Sequence, residues 1–226
     1  MKKTALRTIR LLFIALLIFE FLNWIGILHF SVKFTWLGLI ITGGVVYGFI
    51  EFLNYYLKKH HQTGLYWVAY LLGFVPVLYD AVGDIFRFYD FWWYDVIAHF
   101  LGSAAAAGII FAFFRVLRRT NFVNWYLGTR MFFAFTTAVA LGVLFELEEF
   151  GEDLLTCYHR DLIPFIADKL LPCGQRFGDA YDTGADLFYD VLGGIAAVLA
   201  AWGIAKILKF KALRQRRISL GLKNSK

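Results

Sequence analysis

The sequence predicts an all-α membrane protein, a bundle of six transmembrane helices with both termini in the cytoplasm. Three observations lead to this fold class. Hydrophobic residues make up 60% of the 226 residues and the mean hydropathy is +0.61, values typical of a chain that is solvated by lipid. Six windows are long and apolar enough to cross about 30 Å of hydrocarbon. Basic residues are also distributed unequally between the connections that these windows define.

The predicted elements follow in chain order. The first span covers 8–30. It comes after the basic segment MKKTALRTIR and lacks a small-residue cleavage site, so it is interpreted as an uncleaved helix and not as a signal peptide. The remaining spans cover 34–56, 65–89, 92–115, 129–150 and 185–208. Residues 1–210 are expected to form one membrane domain, with an outer loop at 151–184, and residues 211–226 are expected to form a basic cytoplasmic tail.

Lysine and arginine determine the predicted orientation. If the N-terminus is cytoplasmic, 18 of the 23 basic residues lie on the inner side, and the outer ones are Lys33, Arg87, Arg160, Lys169 and Arg176. This bias follows the positive-inside rule and places both termini in the cytoplasm. The net charge of +6 therefore reflects topology and attraction to anionic lipid headgroups. It gives no support for nucleic-acid binding, because the basic residues form tails and short loops.

Acidic residues have the opposite distribution. Of the 17, only Glu20 and Glu51 lie within the first two spans, and the rest lie at the outer ends of spans three to six or in the outer loop. Ionisable pairs, each three or four residues apart and so on one helix face, mark these outer ends: Asp80 and Asp84, Asp95 and His99, Glu146 and Glu149, Asp186 and Asp190. In an antiparallel bundle these ends meet on one side of the membrane, so the carboxylates are predicted to converge there.

Helical rise predicts that some of these groups lie below the lipid headgroups. At 1.5 Å per residue, His99 and Asp190 are each about 10 Å inside their predicted spans. An ionised group that faces lipid at this depth costs at least a few kcal/mol. The ionisable faces are therefore expected to face one another or enclosed water.

Converging carboxylates need a counter-charge. Only one histidine and a few outer arginines are available, so some acids must be protonated or a cation must neutralise them. A divalent cation is the most economical solution. Oxygen ligands with one imidazole suit Mg²⁺, Mn²⁺ or Ca²⁺, and Zn²⁺ or iron if His99 coordinates. The predicted metal ligands are Asp95, His99, Glu146, Glu149 and Asp186.

Further residues are assigned supporting roles around this predicted site. Asp190 and His99 are the predicted catalytic residues, with Asp190 as the general base or as a residue that supports the ligands. Asp84 is expected to support the site from the end of span three. Thr183 and Asp186 have the spacing of a capping box, and an acid such as Asp182 is favoured near a helix N-terminus. Asp182 and Thr183 are therefore interpreted first as capping residues.

Two alternatives involve His99. Asp95 and His99 have the spacing of an internal pair that only joins helices. Ser103 follows His99 by one turn, which suggests a Ser-His-Asp arrangement, although three residues on one helix rarely reach the geometry of a catalytic triad.

Cys157 and Cys173 both fall in the predicted outer loop. If that side is an oxidising compartment, they are expected to form a disulfide, which would contribute up to about 3 kcal/mol. A metal pair is the weaker alternative, because the CxxC spacing is missing. The segment between them is expected to form either an interfacial helix over the acids, as a lid, or a loop that enters the headgroup region.

Three segments resemble a known family. "YDVIAHF" (94–100), "FELEE" (145–149) and "YDTGADLFYDVLGG" (181–194) are similar, in this order, to segments of the YjdF-like bacterial inner-membrane proteins and, more loosely, of VanZ-like proteins. The resemblance implies a multi-pass protein of the bacterial inner membrane and implies little chemistry. It extends to Asp95, His99, Glu146, Glu149, Asp182, Thr183, Asp186, Gly193 and Gly194, whereas Asp190 and the cysteine-containing insert depart from it.

Three classes of function follow from these features. The first is a metal-dependent hydrolase or transferase that acts on a lipid or lipid-linked envelope compound, with a metal-activated water as nucleophile. The second is a proton- or cation-coupled transporter, although no inverted repeat is evident. The third is a non-catalytic protein that binds cations or lipid. The predicted partners are membrane lipids and a lipid or lipid-linked substrate, nucleic acid is not among them, and the sequence does not predict an oligomeric state.

Overall fold

A computed structural model shows a helical chain and describes residues 2–33, 35–122, 124–158 and 180–219. Within these ranges the chain forms six α-helices and no strand. They are α1 (Lys2–Trp24), α2 (Trp36–His61), α3 (Trp67–Ile85), α4 (Trp92–Arg119), α5 (Leu127–Tyr158) and α6 (Ala180–Ser219). One 3₁₀ turn, Phe88–Asp90, connects α3 to α4.

Five of the helices in the described ranges are long and apolar enough to cross a membrane. These are α2, α3, α4, the part of α5 up to Gly151 and the part of α6 from Tyr181 to Ala212. Helix α1 is not among them, because Arg7, Arg10 and Glu20 interrupt its apolar sequence. The prediction of an all-α membrane protein is confirmed, whereas the count of six spans and the orientation of the termini remain predictions.

Helix boundaries differ from the predicted spans near the C-terminus. Helix α5 continues to Tyr158 and α6 begins at Ala180, so both extend into the predicted outer loop. Helix α6 also continues to Ser219, through the first half of the predicted tail, because the segment after Lys206 is rich in Lys, Arg, Leu and Ala and has no Gly or Pro before Gly221. Cys157 lies in α5, whereas Cys173 and the predicted lid lie outside the described residues, so the disulfide and the lid remain predictions.

The helices pack in two groups of three. Helices α1, α2 and α3 pack together, α4, α5 and α6 pack together, and α3 joins the groups by packing against α4. The most extensive interface is between α4 and α6. Within this interface a Cβ on Gly193 would collide with the backbone carbonyl oxygen of Phe100, so the absence of a side chain allows the two backbones to approach. Small residues at such crossings are typical of helix packing in membranes.

One partly buried ion pair joins α1 to α2 inside the first group. Arg10 of α1 forms a two-point salt bridge with Glu51 of α2. The Arg10 guanidinium also lies 5.1 Å from the centre of the buried Tyr70 ring of α3. An unpaired charge at membrane depth is costly. The ion pair therefore lowers the free-energy cost of placing Arg10 and Glu51 inside the bundle.

A charged contact fixes the turn that precedes α4. The Lys33 Nζ atom, between α1 and α2, donates a hydrogen bond to the Tyr89 carbonyl oxygen at 2.7 Å and lies 3.0 Å from Asp90 Oδ1. Arg87 Nε lies 3.4 Å from Asp90 Oδ2. The hydrogen bond from Lys33, together with the charges of Lys33 and Arg87, lowers the pKa of Asp90 below its ordinary value.

The lowered pKa of Asp90 predicts a pH-dependent difference in stability. We expect the parent protein to melt at a higher temperature than Asp90→Asn above the ordinary aspartate pKa of about 3.9. The difference should decrease as the pH falls from there through the lower pKa of Asp90 in the folded protein, because protonation removes the charge that Lys33 stabilises. Melting curves in detergent between about pH 7 and pH 2.5 would measure it. A difference that stays constant over this range would contradict the prediction.

Candidate metal centre

His99 lies among four carboxylates that come from three helices. Helix α4 supplies Asp95 and His99, α5 supplies Glu146, and α6 supplies Asp186 and Asp190. We call these five residues the His99 cluster. The predicted convergence of acids from separate spans is present, and the long α4–α6 interface holds it together.

One edge of the imidazole ring has the spacing of a cation site. His99 Nε2 lies 3.9 Å from Asp95 Oδ1 and 3.8 Å from Asp186 Oδ1. Each of these three residues offers one ligand atom, and all three atoms lie within 4.8 Å of one another. Metal–ligand distances of about 2.0–2.6 Å place opposed ligands about 4–5 Å apart. The spacing therefore suits three ligands of one ion, and both nitrogen–oxygen distances are too long for a hydrogen bond.

The other edge of the ring faces a second pair of carboxylates. His99 Nδ1 lies 3.5 Å from Asp190 Oδ1 and 3.8 Å from Glu146 Oε1. Ser103 Oγ donates a 2.7 Å hydrogen bond to the same Asp190 oxygen. A Cβ on Gly142 of α5 would overlap the Asp190 carboxylate, so the glycine provides the space that this group occupies. Asp190 is thus positioned by residues of both neighbouring helices.

The cluster is buried and short of positive charge. His99, Glu146, Asp186 and Asp190 are each at most 8% exposed, and only Asp95 is partly open to the surface. Both carboxylate oxygens of Glu146 and the Oδ2 atom of Asp190 have no hydrogen-bond partner among the described residues. Within the same part of the chain, no lysine or arginine forms an ion pair with these four carboxylates. One imidazole therefore faces four acids in a largely dry space.

Apolar packing shields one side of the ring. The Phe145 ring lies with its centre 5.8 Å from that of His99, at an interplanar angle of 68°. Phe145 directly precedes Glu146 on α5, so the same helical turn supplies both a carboxylate and an apolar wall. Exclusion of water on this side strengthens the electrostatic interactions within the cluster.

Four other predicted site residues are not members of the His99 cluster. Glu149 is buried on α5, and Asp84 is buried at the end of α3, where its carbonyl oxygen accepts a 3.1 Å hydrogen bond from the Lys33 backbone nitrogen. Asp182 is exposed. Helix α6 begins at Ala180, so Thr183 lies within the first turn and not at the N-cap position that the capping box requires. Its hydroxyl oxygen is buried without a hydrogen-bond partner in the described chain.

The structure gives Ser103 a different role from that of a triad nucleophile. Its hydroxyl donates to Asp190 and not to His99, whereas a catalytic serine donates to the histidine that accepts its proton. Its spacing from His99 placed it on the correct face of α4, but the sequence did not indicate that its partner is Asp190, 87 residues away. The sequence did not predict that Gly142 leaves space for the Asp190 carboxylate. A lone glycine in an apolar helix does not indicate which side chain will occupy the space beside it.

Comparisons with known proteins show which family the chain resembles. The family model described as "Predicted membrane protein (DUF2238)" matches residues 9–206. This family corresponds to the YjdF-like group, so the first resemblance is confirmed, whereas the comparisons give no support for the VanZ-like one. No curated protein and no solved structure matches the chain.

Proposed function

The chain belongs to the DUF2238 family of predicted membrane proteins, and from this premise we propose that the His99 cluster binds a divalent cation used in catalysis within the membrane. The observation that carries the proposal is the set of three ligand atoms, from Asp95, His99 and Asp186, that lie within 4.8 Å of one another. The unpartnered oxygens of Glu146 and Asp190 support it, because buried anions without partners are costly unless a cation neutralises them.

The two edges of the His99 ring have different roles in this proposal. Asp95, Asp186 and His99 Nε2 hold the cation, with Mg²⁺, Mn²⁺, Ca²⁺ or Zn²⁺ as candidates. The Nδ1 edge points to Asp190 and Glu146, and a carboxylate on the second nitrogen orients a metal-binding imidazole and fixes its tautomer. Ser103 in turn holds Asp190. Glu146 and Glu149 remain candidate ligands from α5.

The proposed activity is hydrolysis or group transfer on a lipid or a lipid-linked envelope compound. The cation would supply Lewis acidity and a water of lowered pKa. Asp190 is the candidate general base, because its Oδ2 atom is buried without a partner while Oδ1 is held by Ser103. Asp95 is the most accessible member of the cluster and therefore marks the side from which a substrate would enter. In this proposal six helices cross the bacterial inner membrane and both termini are cytoplasmic, as the basic residues predict.

Transport of protons or cations is the second candidate function. One observation favours it: Glu20 of α1 is fully buried, and neither of its carboxylate oxygens has a hydrogen-bond partner among the described residues. An intramembrane carboxylate of this kind is a common element of proton pathways. Glu20 lies in the first group of helices, where its Oε2 atom is 3.8 Å from the position of a Cβ on Gly43.

Manganese binding tests the proposed cation site. Purified protein in detergent, stripped with a chelator, is expected to bind one Mn²⁺ per chain in equilibrium dialysis. Asp95→Asn should weaken this binding by about tenfold or more, because it removes one of three ligands and one negative charge. Asp182→Asn, which removes an exposed acid from α6, is the matched control and should bind as the parent does. Equal binding by all three proteins would refute the site.

Activity in vesicles separates the two functions. If the protein is an enzyme, reconstituted protein with Mn²⁺ should release products from the vesicle lipids or from added lipid-linked compounds, as detected by mass spectrometry. Asp190→Asn should lose this release while retaining most Mn²⁺ binding. Proton or Mn²⁺ flux that is abolished by Glu20→Gln, without any release of products, would favour transport instead.

A further inference from the structure

An apolar groove runs along α4 from Leu101 to Arg119, between α3 and α6. Its volume is about 870 Å³, within the range of about 300–1,000 Å³ that is usual for ligand sites. Small residues of α4 form the floor, and α3 and α6 supply apolar walls. The floor residues are Ala104, Ala105, Gly108 and Ala112. Because small side chains leave the space above α4 empty, a long apolar group can lie along the helix.

Four arginines line one end of the groove. They are Arg115, Arg118 and Arg119 from the end of α4 and Arg130 from the start of α5, and we call them the arginine cluster. Arg119 donates a hydrogen bond to the hydroxyl of Tyr66. In the described part of the chain none of the four forms a salt bridge with a carboxylate. The apolar groove therefore ends at a concentration of uncompensated positive charge.

Arg130 gives a separate indication that an anion binds here. It is only 5% exposed, and its Nε atom has no hydrogen-bond partner among the described residues. Its guanidinium carbon lies 5.6 Å from the centre of the Phe111 ring. This contact satisfies none of its N–H donors. A buried guanidinium beside other arginines is costly unless an anion pairs with it, and phosphate oxygens match its planar donors.

We infer that this groove binds one anionic phospholipid, with its phosphate at the arginine cluster and an acyl chain along the floor of α4. The charge complementarity and the apolar length of the groove select this ligand over a neutral lipid. A helix from a second copy would fill the apolar space but would bring no phosphate to Arg130. Arg115 follows His99 by 16 residues, which is about 24 Å along α4. The arginine end of the groove is thus separate from the proposed cation site, and the inference does not depend on that site.

Native mass spectrometry of the delipidated full-length chain tests this inference. The probes are dioleoylphosphatidylglycerol, which is anionic, and dioleoylphosphatidylcholine, which is zwitterionic, with inorganic phosphate as a competitor. We expect one phosphatidylglycerol to remain bound and phosphatidylcholine to be lost. Arg115→Gln/Arg118→Gln leaves the buried Arg130 in place and should weaken phosphatidylglycerol binding by about tenfold or more, since it removes two basic residues that would lie near the anionic headgroup. Arg130→Gln should weaken it further.

Two controls make the result decisive. Lys58→Gln/Lys59→Gln removes two exposed charges from the end of α2, at the same end of the bundle and outside the groove, and should leave binding unchanged. Ala201→Leu narrows the groove with every arginine intact and should weaken binding of the lipid. The inference is overturned if the lysine variant loses as much affinity as the arginine variant, if both lipids are retained equally, or if inorganic phosphate displaces the lipid fully. A dimer that excludes lipid from the groove would also overturn it.

Discussion

Replacing Gly193 with alanine is expected to separate α4 from α6 and to destabilise the bundle by about 1–3 kcal/mol, the usual cost of overpacking a well-packed core. The added Cβ would collide with the carbonyl oxygen of Phe100 and would also lie 3.0 Å from its carbonyl carbon and 3.1 Å from its Cα. These are backbone atoms, so no side-chain rotation relieves the contact, and the helices must move apart. Thermal melting in detergent measures the loss of stability.

The same substitution should also weaken the proposed cation site. Gly193 lies three residues after Asp190, and Phe100 directly follows His99, so this contact sets the distance between the two halves of the His99 cluster. We therefore expect weaker Mn²⁺ binding in Gly193→Ala even at temperatures where the variant is folded. Gly203→Ala is the matched control: it lies on the same helix, and a Cβ there meets nothing within 4 Å. Alanine there should be neutral or stabilise the protein by up to about 1 kcal/mol. Equal effects at both positions would contradict the close contact.

Replacing Asp186 with asparagine is expected to change stability in opposite directions with and without metal. In the chelator-treated protein it removes one of four crowded negative charges, so the melting temperature should rise. The repulsion between two charges about 4 Å apart is on the order of 4 kcal/mol at an effective dielectric constant of 20, and we expect a fraction of this as added stability. With Mn²⁺ the parent should gain stability through binding, whereas Asp186→Asn should gain little, because a ligand is missing.

This crossover distinguishes a cation site from a simple ion-pair network. If His99 is a permanent imidazolium that only joins the helices, then neutralising Asp186 removes an attraction and lowers the melting temperature whether or not Mn²⁺ is present. Asp182→Asn, on the same helix one turn earlier and exposed, should raise the melting temperature of the chelator-treated protein by less and should keep the full gain with Mn²⁺. At functional sites, replacing an acid with a neutral residue often stabilises the protein and reduces its function.

Much of the candidate site was predictable because helical spacing and membrane topology act together. The i, i+4 spacing of Asp95 and His99, and of Asp186 and Asp190, places each pair on one face of its helix. The cost of exposing these faces to lipid forces them inward. Antiparallel crossing then brings the ends of α4, α5 and α6 to one side. Long apolar windows likewise identified five helices, while the charges of α1 left its assignment as a span open.

Other features required the three-dimensional arrangement, because they depend on contacts between residues that are distant in the chain. Sequence spacing treated Glu146 as equivalent to Asp95 among the ligands, but in the folded protein it faces Nδ1 of His99 while Asp95 faces Nε2. The hydrogen bond from Ser103 to Asp190 and the space that Gly142 leaves for this carboxylate follow from the rotation of each helix about its axis. The groove with Arg130 depends in the same way on how α3 and α6 flank α4.

The sequence by itself determined that this is a membrane protein, the number of its long apolar helices to within one, and the set of acids that must avoid lipid. These follow from composition and from the period of a single helix, which are local properties. Only the tertiary structure decided which edge of His99 each carboxylate faces, which oxygens are left without partners and where an anionic ligand has room. The physical reason is that helix rotation and crossing distance are set by packing contacts such as that of Gly193 with Phe100, and such contacts join residues whose pairing no local pattern encodes.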